Sequence, residues 1–132
     1  MLQDIFVAGT DTAAAAIIWA MTALLKNPSA LKKVQAEVIN LVGNKGAVEE
    51  ADIEDLPYLK AVIKETLRLY PPAPLLGPRE TTQACTIRGY NVECKTLVLI
   101  NAWAIGKDPG CWKNPHDFVP ERFLNTDVDV RG

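Results

Sequence analysis

The sequence contains no CxxC pair. Its cysteines, Cys85, Cys94 and Cys111, are scattered and odd in number, which argues against a paired-thiolate zinc site or a disulfide framework and fits a reducing compartment. Long basic runs are absent too. Fourteen Lys and Arg against sixteen Asp and Glu give a formal net charge of -2, so there is no electrostatic track for a phosphate backbone and nucleic acid is not expected as a partner. Met1 is followed by neither a basic segment nor a small-residue cleavage site, and no secretory signal is expected. Internal repeats and low-complexity tracts are also missing.

What is present has the length and balance of one globular unit: 132 residues, 48% hydrophobic and 23% charged. From Leu2 to Lys26 there is no proline, and a run of alanines leads into Ile17, Ile18 and Trp19, which predicts a long helix. It stops at Asn27-Pro28. Asn27 is the expected N-cap of a second helix, with Pro28 at its first position and Leu31, Val34, Val38, Leu41 and Val42 at helical spacing. After the acidic turn EEADIEDL, Pro57 starts a third helix with Leu59, Val62, Ile63, Thr66, Leu67 and Tyr70 on its apolar stripe. Pro71 and Pro72 end it.

Beyond PPAPLLGP the period changes. QACTIRGYNVEC reads as a short hairpin turning near Gly89, and TLVLI as a buried strand. A turn centred between Gly89 and Tyr90 sets Cys85 opposite Cys94, and a cytosol-facing protein should keep both reduced. From Asp108 on, Pro109, Pro115 and Pro120 punctuate a stretch holding Trp112, Phe118 and Phe123, which predicts ordered coil. The fold class is therefore mainly α with a small β portion, α+β.

Two clusters bear on chemistry. Residues 5 to 25 nearly reach the ~20 apolar residues of a membrane span, but Asp11 would be costly in lipid and the apolar part, Ala13 to Leu25, is too short. A helix buried within a protein is the expectation. In such a helix Gly9 permits close approach to the backbone, the Thr10 and Thr12 hydroxyls can bond carbonyls one turn back, and Asp11 is titratable. That set suits a helix that bulges around a bound molecule and passes protons to it, or else a capped or frayed helix end. Glu65 and Arg68, an i, i+3 pair on the side away from the apolar stripe, read on their own as a solvated ion pair.

Their combination and order point further. AGTDT at 8–12, KETLRLYPPAPLLGPRE at 64–80, NAWAIGKDP at 101–109 and FVPERF at 118–123 together resemble the cytochrome P-450 family of haem-thiolate monooxygenases, particularly the plant microsomal class. The resemblance implies a partial P-450 fold across residues 1–132, from the distal half of the long haem-crossing helix (1–26) through a helix at 28–42, the ExxR helix at 57–70 and short strands in 75–100. A helix turn and coil with PERF follow in 101–132. It implies haem as cofactor, with Ala8, Gly9 and Thr12 against it and Arg79 binding a propionate. Asp11 and Thr12 match the acid-alcohol pair that organises proton delivery to dioxygen. Glu65, Arg68 and Arg122 match a Glu-Arg-Arg network, while Val7, Ala8, Leu75, Leu76 and Gly77 would border a small apolar organic substrate. An NADPH-dependent flavoprotein reductase would supply electrons, at the cytosolic face of the endoplasmic reticulum membrane.

The chain departs from the family pattern in places. Ala13 stands where a second hydroxyl residue is usual, Cys94 where a proline is common, and Lys107 where arginine is frequent. The family's iron-ligating cysteine lies in an FxxGxRxCxG loop downstream of PERF, and none of Cys85, Cys94 or Cys111 has those surroundings. No residue of this chain is thus assigned to the metal. An internal fragment, inactive alone and without the N-terminal anchor that gives membrane contact, is the expectation. Two other readings of the residues stand beside it: a non-catalytic truncated product or helical interaction domain without haem, and a protein anchored in a membrane by residues 5–25.

Overall fold

Residues Leu2–Lys26 form one continuous helix, α1, in a computed structural model that describes residues 2–43, 45–126 and 128, without the side chains of residues 2–4 and 7. The expected bulge at Gly9–Thr12 does not occur. The Thr12 hydroxyl donates to the Ala8 carbonyl at 2.6 Å, using that oxygen's second lone pair, and the helix is continuous through this stretch. Asn27 holds the expected N-cap position of the next helix, its carbonyl accepting the Leu31 N–H at 3.1 Å, but without a side-chain cap bond. Its side chain donates instead to the Ala23 carbonyl at 2.8 Å and its backbone N–H to Leu24 at 3.0 Å, closing the end of α1.

That next helix, α2 (Pro28–Val42), opens on a proline that has no N–H to satisfy. It buries Ala30 and Val34 and stops at Gly43, whose φ of +47° is glycine's to adopt. The acidic stretch is a 3-10 helix, Glu50–Asp55, closed by a capping box in which the Glu49 N–H reaches Asp52 at 3.0 Å.

Helix α3 (Pro57–Leu69) begins where Glu37 of α2 accepts hydrogen bonds from the Tyr58 and Leu59 amides at 2.7 and 2.9 Å. A carboxylate there satisfies orphan donors and suits the helix dipole. Leu24, Ala30, Val34, Tyr58 and Val62 form the core where α1, α2 and α3 meet, with Phe118 and Leu124 against it.

Val62 and Thr66 of the predicted stripe are buried, but burial extends beyond it. Ala61, Glu65, Arg68 and Leu69 are buried as well while Ile63 is 44% exposed, because the chain after residue 105 returns over the polar side. On its other side α3 shares with α1 an apolar groove of about 250 Å³ walled by Ala20, Leu59, Ile63 and Leu67.

Four short strands make two ribbons. β1 (Arg79–Glu80) pairs antiparallel with β4 (Leu97–Val98), and β2 (Cys85–Ile87) with β3 (Tyr90–Val92). The hairpin turns one residue earlier than expected. Arg88 and Gly89 both have positive φ, +48° and +86°, the two-residue geometry that matches strand twist. This places Cys85 opposite Val92, not Cys94, and all three cysteines are free thiols. The TLVLI strand is shorter and more open than predicted, with Leu97 67% exposed, since no described element covers its face. A single turn of helix, α4 (Ala102–Ile105), is capped by the Asn101 side chain, which accepts the Ala104 N–H. Coil follows to a 3-10 turn at Pro120–Phe123.

Candidate functional site

Two regions hold the residues singled out by the sequence. The first is a closed ionic network on α3. Glu65 is wholly buried, and Arg68 grips its carboxylate with a two-pronged fork, Nε and Nη2 each at 2.8 Å. Arg122 adds its Nε at 3.1 Å from both carboxylate oxygens, and the Val119 amide donates at 2.8 Å.

The remaining donors of Arg68 go to backbone. Its Nη1 reaches the Gly106 and Pro115 carbonyls and its Nη2 that of Asp117. All five N–H groups of the guanidinium are thereby used, and among the described residues no buried side-chain nitrogen or oxygen lacks a partner. Lysine, with three donors and no planar fork, could not do this.

Gly106 makes the arrangement possible. A Cβ there would lie 2.4 Å from the Arg68 carbonyl oxygen. Trp112 covers the network from outside, its ring centroid 5.1 Å from the Arg68 guanidinium and 5.9 Å from that of Arg122. Gly106 lies within the NAWAIGKDP motif but was given no role there, and Trp112 lies in none of the four motifs. A glycine directly after AWAI and a tryptophan between two prolines were the only signals.

A second polar group ties the PERF turn to the helices. Lys33 and the Tyr58 hydroxyl both donate to Glu121, at 2.6 and 3.0 Å. Burial opposes ionisation of Glu121, yet these bonds outweigh it and hold the carboxyl below its ordinary range. Burial first, then the Glu121 carboxylate, push the Tyr58 phenol upward.

The second region is the exposed side of α1. Ala8, Gly9, Asp11 and Thr12 are solvent-facing, and a Cβ built on Gly9 meets nothing within 4 Å. Asp11 and Thr12 are adjacent on a continuous helix and so point about 100° apart. No hydrogen bond joins them. Val7 lies among the residues whose side chains are not described. Leu75, Leu76 and Gly77 form an exposed turn held by Leu76 N–H to Ala73 at 3.0 Å and by Trp103 N–H to Pro74 at 3.1 Å. Leu76 there takes φ +54°, unusual for a bulky residue and the kind of outlier that concentrates at functional positions. Arg79 is exposed in β1. Among the described residues no hydrogen bond links Arg79 or the 75–77 turn to α1.

A family model described as cytochrome P450 matches residues 1–131. The chain belongs to the cytochrome P450 family. It is 57% identical over its full length to cytochrome P450 71A9 of Glycine max and 54% identical to cytochrome P450 71A1 of Persea americana, covering 26% of each. The P450 chain thus spans about a quarter of the length of these curated relatives. Solved zebra fish cytochrome P450 structures, with progesterone and with abiraterone, superpose at a TM-score of 0.86 with 37% and 38% identity. They cover 93% and 92% of this chain, which covers 29% and 30% of theirs. The fold is the corresponding part of the P450 fold. Within it α1 from Ala8 to Lys26 is long and apolar enough to cross a membrane, with a mean hydropathy of 1.3, but it packs against α2 and α3 and buries Ala23 and Leu24.

Proposed function

We propose that this chain is the central portion of a haem-dependent monooxygenase that inserts one atom of dioxygen into a small apolar organic molecule. Electrons would come from NADPH through a flavoprotein reductase, with the parent protein on the cytosolic face of the endoplasmic reticulum membrane. What supports this most is the join, in one P450-family chain, of the saturated Glu65–Arg68–Arg122 network to a continuous α1 that exposes Gly9 through Thr12.

The residues present fit haem. Open space beside the Gly9 backbone admits a flat macrocycle, the exposed fork of Arg79 suits a propionate, and the exposed Phe6, Leu75 and Leu76 are apolar. Cys85, Cys94 and Cys111 all precede PERF and lack the surroundings of the family's ligand loop, so the axial thiolate is proposed to come from another part of the parent protein. Haem, when bound, supplies the iron at which dioxygen is activated.

The Thr12 hydroxyl donates its hydrogen bond to the Ala8 carbonyl. Its oxygen is thereby left as an oriented acceptor that fixes a water, or the reacting oxygen, near the open Gly9 face. Asp11, turned toward solvent, exchanges protons with bulk water and would pass them on through such a water. The Glu65–Arg68–Arg122 network takes no part in proton movement and holds α3 and the PERF turn in place.

In the full-length protein, Thr12→Ala should leave the reduced carbon monoxide spectrum unchanged. Product formed per NADPH consumed should fall, by up to about a hundredfold, while peroxide release rises. Unaltered coupling would remove Thr12 from the mechanism.

A further inference from the structure

The network on α3 does not balance. One carboxylate, Glu65, faces two guanidiniums, Arg68 and Arg122, which leaves an excess positive charge in a place where Glu65 is wholly buried and Arg68 is 3% exposed. An uncompensated charge in such surroundings is costly. Its field reaches Lys107, whose ammonium is destabilised first by burial and then by repulsion from Arg68.

The segment after Cys111 supplies only partial negative charge. The carbonyls of Lys113 and Asn114 accept from Arg122, at 2.9 and 3.3 Å, and the Pro115 and Asp117 carbonyls accept from Arg68, at 2.8 and 3.1 Å. Trp112 stands at the head of this segment. Its ring lies over both guanidiniums, its Nε1–H is tied to the Ile105 carbonyl at 3.2 Å, and Phe123 packs against it at 5.8 Å with a 53° tilt.

We infer that Trp112 is a positioning residue of the network, its π face serving as the counter-charge shared by Arg68 and Arg122 and the following carbonyls completing the cradle. A ring face is negative and attracts a cation, more strongly where water is scarce. Indole has the strongest such face among the side chains. An aliphatic side chain would shield part of the same surface and leave the positive charge in place.

Fluorination separates charge from shape, because each ring fluorine weakens the negative face while scarcely changing its size. Site-specific incorporation of mono-, di- and trifluorotryptophan at position 112 of the full-length protein, followed by urea unfolding, reads the effect. The folding equilibrium constant should fall stepwise, by about tenfold in all, as expected for contacts worth about 1–2 kcal/mol. The same series at Trp19, which stacks on Tyr70 at 4.6 Å, should stay flat. No stepwise fall at position 112, or an equal one at both positions, would overturn the assignment and reduce Trp112 to packing. The readout is folding alone, so its outcome is independent of the chemistry proposed for α1.

Discussion

Glu65→Gln should strongly destabilise the parent protein, although the side chains have nearly the same shape. The carboxylate accepts from Arg68 twice, from Arg122 and from the Val119 amide. An amide in its place offers one oxygen and turns two donors toward other donors. It also removes the formal negative charge shared by two guanidiniums. Breaking a buried pair by removing one partner costs about 3–5 kcal/mol, a large share of the roughly 5–15 kcal/mol that holds a domain folded. The urea midpoint of the full-length protein, read by circular dichroism, measures this. A loss below about 1 kcal/mol, the range of an exposed pair, would mean that the network is solvated.

Gly106→Ala should come second in severity, through sterics alone. The added methyl would sit 2.4 Å from the Arg68 carbonyl oxygen and 3.4 Å from that of Ala102, and the contacts are backbone, which cannot rotate aside. Relief requires α4 to move off α3. That movement would take the Gly106 carbonyl away from Arg68 Nη1 and leave a buried donor unpaired. Overpacking plus that loss should cost about 3 kcal/mol. Gly77→Ala is the control. Nothing lies within 4 Å of a Cβ there, so its effect should stay within about 0.5 kcal/mol. Equal midpoints for the two variants would show that α4 does not seat on α3 as described.

The helices were legible because their signals are local. Pro28 and Pro57 open α2 and α3, and Pro71 with Pro72 closes the last of them. The buried side of α3 was not legible from periodicity. A helix packed on both sides shows its apolar stripe to one neighbour and its charges to another, and here the second neighbour arrives from more than thirty residues downstream, at Gly106, Pro115 and Asp117. Glu65 and Arg68 therefore look solvated in any window confined to the helix. Only the order of four motifs marked them. The hairpin register failed for a local reason: a bulky Arg88 is an unexpected occupant of a left-handed turn position, so the turn was centred on the following pair. Asn27 misled because an amide can donate as well as accept, and here it donates to the helix behind it. Trp112 carried no signal until the chain placed it over two arginines.

The central claim is that this chain is part of a haem-thiolate enzyme, and the reduced carbon monoxide difference spectrum of the full-length protein tests it most directly. A Soret band is expected at the position diagnostic of thiolate-ligated haem, retained in Thr12→Ala. A folded full-length protein that binds no haem, or whose Soret band marks a nitrogen ligand in place of the thiolate, would contradict it.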